Sequence, residues 1–208
     1  VLKYLFQVNN VVLTALMSFF IVVNAAWNAH KRNPHPIKTY WNSLLAIFIS
    51  TYVTMGVLVL SGAIKFIPSQ VIPISGMIAS NSMVAIGLCY RHLFSKFQDQ
   101  RQQVLEKLAL GAPIKLASRP ILRESIKTAM QPTIDSAKTV GLVSLPGMMS
   151  GLIFAGVDPV HAIKYQIMVT FMLLSTTSLG SIIAGYLAYK HYFNSHLQLI
   201  DTTKKEEV

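Results

Sequence analysis

Between Lys164 and Lys190 the chain runs for 25 residues without a charge. A helix needs about 20 apolar residues to cross a bilayer, and a water-soluble helix keeps one polar face. Tyr165 and Tyr189 stand at the two ends of the run, where aromatic side chains favour the membrane–water interface. In hydrocarbon every backbone polar group must be satisfied internally, which leaves helices or closed barrels. A single run of this length points to a helix.

The pattern recurs at residues 8–27, 43–64 and 74–90, and in a broken form at 134–156. The predicted fold is therefore all-α: a polytopic integral membrane helical bundle with about five transmembrane helices, forming a single transmembrane domain over 1–208. Residues 91–132 are predicted to form a cytoplasmic, amphipathic coupling loop. Charged residues make up 12% of the chain and mean hydropathy is +0.49, as in membrane proteins. The opening VLKYLF reads as the tail of an earlier apolar segment, so the expectation is a chain shortened at its N-terminus. The tail after Lys190 is polar and is expected to fray.

Eighteen basic residues against eight acidic ones give a net charge of +10. Such a balance can mark a nucleic-acid partner. Here the basic residues fall between apolar runs and read as topology signals instead, with membrane lipid as the partner. Fifteen of the eighteen lie on the side of the 91–132 loop, leaving Lys3, Lys65 and Lys164 on the other. The positive-inside bias then puts the loop and the C-terminus in the cytoplasm and the first residues outside. Cys89 is the single cysteine, so there is no disulfide framework. All six histidines fall outside the predicted spans, which argues against a membrane-embedded serine hydrolase. No phosphate-binding G-x-x-x-x-G-K-[ST] loop occurs, so any ATP hydrolysis belongs to another subunit.

The fourth run carries the most information. It starts with Asp135 and Lys138, three apart on one helical face near the predicted inner boundary, where they are expected to pair. It is then interrupted at Pro146 and Gly147, followed by Met148, Met149 and Ser150. Proline removes a donor and glycine loosens a helix, which predicts a kink. Irregular backbone at membrane depth persists where protein or a water-filled cavity covers it, so the break is a candidate pathway element. Met77, Asn81 and Met83 on the third run are further candidates for substrate lining, with Met168 and Met172 opposite. Thioethers suit Cu(I) better than Fe(II), and methionines in helices more often fill space. No metal-ligand set can be read from these residues.

Within the loop, Val104, Leu105, Leu108 and Ala112 recur at helical spacing, and Gly111 and Pro113 close the helix. A second amphipathic helix is predicted over 120–130, with Ile121, Leu122, Ile126 and Met130 on its apolar face. Such a segment can lie on the inner leaflet or dock into a soluble partner. Glu106, Leu110, Gly111, Ala112 and Pro113 are the candidate coupling residues.

The segment EKLALGA, residues 106–112, loosely resembles the cytoplasmic E-A-A loop of ABC-type importer permeases, which touches the ATPase. A closer resemblance covers almost the whole chain. FIVVNAAWNAHKR, IPISGMIASNSMVAIGLCY, EKLALGAPIKLAS, PTIDSAKTVGLVSLPGMMSGLIFAG and AIKYQIMVTFMLLSTTSLGSIIA are similar to the FetB (YbbM) family, also UPF0014. That resemblance implies an ABC transporter permease in the bacterial inner membrane, exporting iron and supporting oxidative stress resistance, with plant relatives in aluminium tolerance. It implies a homodimer of permease subunits driven by a FetA-like ATP-binding cassette subunit. ATP-Mg would then bind in the partner, with no cofactor on this chain. The alternative is an ion-coupled secondary metal transporter or channel, with Asp135, Lys138 and the broken span as its coupling site.

Overall fold

In the computed structural model, which describes residues 11–33, 39–142, 145–194 and 198–200, the uncharged runs before residue 91 and after residue 158 are helical. The expectations for VLKYLF, for Lys38 and for the chain beyond residue 200 lie outside the described residues. Helix α1 spans Val11–Lys31 and α2 Tyr40–Leu60; α3 runs Pro68–Asp99. They are followed by α4, Arg101–Ala109, and α5, Ile114–Thr139. Last come α6, Gly147–Phe154, and α7, Pro159–Ala188, which ends in a 3-10 turn over Tyr189–Tyr192. The described residues are thus an all-α, multi-pass membrane fold. Four helices (α1, α2, α3 and the Pro159–Tyr192 unit) are long and apolar enough to cross a membrane.

Helices α3 and α7 form the centre of the bundle. The buried stripe of α7 is built from small residues, among them Ala162, Thr176, Thr177, Gly180, Ser181, Ala184 and Gly185, which let neighbouring backbones come close where lipid gives no hydrophobic drive. Short polar contacts tie the helices together. Ser43 pairs with the Tyr90 hydroxyl at 3.1 Å, Ser50 with Ser82 at 3.4 Å, and Ser82 donates to the Thr176 carbonyl at 3.5 Å. These pairs also set directions. Helix α2 runs antiparallel to α3, and α3 runs parallel to α7.

Three expectations need correction. Helix α3 is longer than the predicted 74–90 at both ends. Pro68 is its first residue, where the missing N–H costs nothing, and Pro73 is absorbed in the second turn. Beyond Tyr90 the helix continues because Leu93 and Phe97 are buried, Phe97 stacking on Tyr192 at 4.4 Å. Second, residues 114–139 form one helix through Pro120 and Pro132, rather than a short amphipathic piece inside a loop. Its stripe Ala117, Ile121, Leu122, Ser125 and Ala129 is buried against α3 and α7. Third, residues 134–156 do not form one kinked span. Helix α5 stops at Thr139, Gly141 turns the chain at φ +80°, and α6 starts only at Gly147. The start of the tail is also less loose than expected: Phe193 and Leu199 form an antiparallel bridge, and both are buried.

Candidate functional site

The chain returns through the bundle on α5. At the α4 end, His92 Nδ1 lies 3.2 Å from the Ser125 hydroxyl, and Lys96 Nζ sits 3.0 Å from Glu124 Oε1. One turn further on, Ile126 and Leu122 close over Gly185. At the other end Thr133, Ser136 and Ala137 of α5, with Val140 just past its end, face Gln166, Thr170 and Leu173 of α7. From Ile126 to Val140, about 21 Å at 1.5 Å per residue, α5 therefore lies antiparallel to α7 from Gly185 back to Gln166. It is the fourth leg of the bundle, although its composition is too polar for it to count among the four apolar helices.

The outer face of this leg is charged. Arg123, Lys127, Gln131 and Asp135 are spaced four apart and all exposed, beside an α7 whose exposed side chains include Ile163, Ile167, Phe171 and Ile182. Sequence reasoning placed most of these polar residues in the cytoplasm because charge alone disqualified α5 as a span. It also placed Asp135 and Lys138 near the inner boundary as an ion pair. In the structure they lie at the opposite end, beside the start of α7, because 21 residues of α5 already precede Asp135. Asp135 accepts from Gln131 Nε2 at 2.9 Å, and the ion pairs among the described residues are Lys96–Glu124 and His161–Asp158.

Where α5 breaks, a pocket of about 260 Å³ opens between its last turns and α7, closed on one side by Pro146. Gln166 lines it and is 6% exposed. The Thr170 hydroxyl donates to the Gln166 carbonyl at 2.9 Å, and Gln166 Nε2 reaches the Thr170 oxygen at 3.5 Å. A hydroxyl has one proton to give, so Thr170 can only accept from the glutamine. That fixes Nε2 toward Thr170 and leaves Oε1 as the free end, a buried oxygen with no partner. Gln166, Thr170, Thr133 and Ser136 are not among the candidates legible in the sequence; the available signal is a glutamine two residues inside an otherwise apolar run.

The remaining sequence candidates separate. Pro146 caps α6 and lines the pocket, Gly147 starts the helix, and Ser150 donates back to the Pro146 carbonyl. Met149 is buried, while Met148 is exposed. Met77 packs with Met55, Met168 and Met172 in the apolar cluster at the α7 start, and Met83 packs into the other cluster. Asn81 donates to its own helix at the Met77 carbonyl, 2.8 Å away. These three thus sit in packing roles, apart from the pocket lining. No group of three or more His, Cys, Asp or Glu able to hold a metal occurs among the described residues.

At the far end α4 forms a short exposed helix held by buried Val104. Glu106 accepts from Gln102, Leu110 is 87% exposed, and Gly111 takes φ +84° with open space around it. Ala112 donates back to the Lys107 carbonyl and Pro113 opens α5. The turn 110–113 projects from the end that carries Tyr192 and the Arg101 contact to Ile200, opposite the Asp158 turn.

Comparison with known proteins decides the family. The model of the uncharacterised protein family UPF0014 matches residues 1–193. The chain belongs to UPF0014. Within it, the chain is 59% identical to the Probable iron export permease protein FetB of Escherichia coli, over 100% of this chain and 80% of that protein. It is 36% identical to the UPF0014 membrane protein STAR2 of Oryza sativa, over 97% of this chain and 70% of that one. Identity to the Arabidopsis thaliana protein ALUMINUM SENSITIVE 3 is 34%, over 96% and 73%. No solved structure matches the chain. This UPF0014 chain is therefore a multi-pass membrane protein, similar to one relative named as a probable iron export permease.

Proposed function

We propose that this UPF0014 protein is the permease subunit of an ABC transporter that exports iron from the bacterial cytoplasm and so supports resistance to oxidative stress. The observation that carries the reading is α5, a leg through an apolar bundle whose outer face presents Lys127, Gln131 and Asp135. Lipid does not tolerate such a face, and intramembrane ionisable groups face a bundle interior or a water-filled path. A second copy of the chain supplies the cover, so that two α5 faces line the path in a homodimer. The relative named for iron export supplies the cargo.

The drive comes from outside. The exposed turn 110–113 with Leu110 and Gly111 is the handle that a separate, FetA-like ATP-binding subunit grips, with ATP-Mg held there. Helix α5 follows directly on Pro113 and continues without interruption through Pro120 and Pro132 to Thr139, so a push on the turn is carried along one helix to the break. In this reading that end, and the C-terminus, face the cytoplasmic side of the inner membrane, supported by the basic residues beside the handle. Lys138 moves to the outer side and leaves the bias intact. A carrier without ATPase remains the second reading, supported by the broken helix beside Asp135.

Reconstitution tests both. Full-length protein and its ATP-binding partner in liposomes should move Fe(II) only with ATP-Mg, and Fe(II) should stimulate hydrolysis. Transport by the permease alone down an ion gradient would favour the second reading.

A further inference from the structure

On the exposed face of α3 beside Arg32 we infer a binding site for the headgroup phosphate of an anionic phospholipid, held by the guanidinium groups of Arg32 and Arg91. Arg32 stands just past the last residue of α1, and its stem is laid across α3 at Gly87. A Cβ built on that glycine would lie 2.9 Å from Arg32 Cδ and 3.2 Å from Arg32 Cβ. The missing side chain is what lets the arginine cross. Val84, Gly87 and Arg91 are three and four residues apart and share one face of the helix. Arg32 is thereby brought to the turn next to Arg91, about 6 Å along the axis, and both arginines are exposed.

Neither arginine has an acidic partner among the described residues, where the ion pairs are Lys96–Glu124 and His161–Asp158. The acids at this end are engaged elsewhere: Glu124 with Lys96, Asp99 with Ser95 and Glu106 with Gln102. Two like charges on neighbouring turns repel, and an anion between them relieves the repulsion. Guanidinium groups match the oxygens of a phosphate bidentately.

Depth selects lipid as the source of that phosphate. Tyr90, next to Arg91, pairs with Ser43 in the first turn of α2, and Trp41 in the same turn is exposed. Trp27 is exposed near the end of α1, with Lys31 Nζ 5.3 Å over its ring. Exposed tryptophans with flanking cations mark the level of the headgroups. Two turns deeper on the same face of α3, exposed Val84 offers an acyl chain an apolar floor. Basic pockets between membrane helices recognise anionic headgroups in this way. The site needs only a bilayer and stands apart from the transport reading.

Native mass spectrometry of the full-length protein in mild detergent tests it, with phosphatidylglycerol as the probe and phosphatidylcholine and inorganic phosphate as controls. Wild type should retain phosphatidylglycerol in preference to phosphatidylcholine. Arg32→Ala and Arg91→Ala should each weaken retention about fivefold, the share of one basic residue at an anionic surface, and the double variant about tenfold or more. Gly87→Ala removes no charge but should weaken retention as Arg32→Ala does, by unseating the stem. Replacing Lys115 and Arg119 together by alanine removes the same charge from exposed positions on α5 and should leave retention unchanged. Equal loss in that control overturns the site, as does full retention in Gly87→Ala or in the double arginine variant. Displacement of the lipid by millimolar inorganic phosphate would assign the two arginines to a free anion and overturn the lipid as occupant.

Discussion

Gly185 of α7 sits directly beneath Leu122 of α5: a Cβ built on the glycine would lie 3.0 Å from Leu122 Cδ1 and 3.4 Å from Cys89 Sγ. Three helices meet at this point, and the absent side chain sets their spacing. The same contact fixes how far along α7 the rest of α5 is laid, and hence where its end opens the pocket beside Gln166.

Replacing Gly185 by leucine should therefore push α5 off α7. Overpacking of this kind costs about 1–3 kcal/mol. The expected result is a lowered thermal midpoint in detergent together with lost metal transport, while Gly185→Ala, which asks for a few tenths of an ångström, should be mild. A leucine variant with wild-type stability would show that α5 is not seated as described.

Gly111 offers a contrasting test, since nothing surrounds it. A β-branched residue at φ +84° is strained by about 1–2 kcal/mol, enough to reshape the exposed turn without disturbing the core. Gly111→Val should leave the assembled bundle intact by size-exclusion chromatography, yet reduce partner ATPase stimulation by about tenfold or more. Full stimulation would remove the turn from the coupling route.

The clasp between α3 and α5 should respond to acid. Lys96 hydrogen-bonds Glu124 and holds its carboxyl below the ordinary value of 4.5, out beyond Tyr90 and Tyr189 in the aqueous region. A depressed folded pKa means that the contribution is fully present above the unfolded value and is lost as pH falls through the folded one. The thermal midpoint of wild type should thus exceed that of Glu124→Gln at pH 7, and the gap should close below pH 4.5. A gap that persists in strong acid would assign the effect to packing.

Asp158 caps α7. Its carboxylate accepts from the amides of Val160 and His161 at 3.1 and 3.3 Å, satisfying donors that the first turn otherwise leaves unpaired. Asp158→Ala should cost about 0.5–2 kcal/mol, visible as faster hydrogen exchange over the first turn of α7 and little change elsewhere. Asp158→Asn should recover most of the protection.

Much of this architecture is written into local composition. The runs that became α1, α2 and α7 announce themselves because a bilayer demands continuous apolar length, and Asp158-Pro159 reads directly as a helix start. The exposed turn around Gly111 was also legible, since glycine after a short amphipathic helix closes it regardless of context. The fourth leg was not. Arg123, Lys127 and Asp135 lie along α5, and a hydropathy argument must reject any span that carries them. The apolar stretch after Thr139 then looked like the missing helix, when it is the break and short α6.

The solvent, the helical class and the side on which the basic residues gather all follow from summing residue properties over a window of chain. Tertiary structure alone decided that a polar helix takes the fourth place, that Asp135 and Lys138 do not pair, and that Gln166 Oε1 has no partner. Those facts depend on which surfaces face one another. A charge is costly or harmless according to whether its neighbour is lipid, water or a second helix, and no window along the chain contains that neighbour.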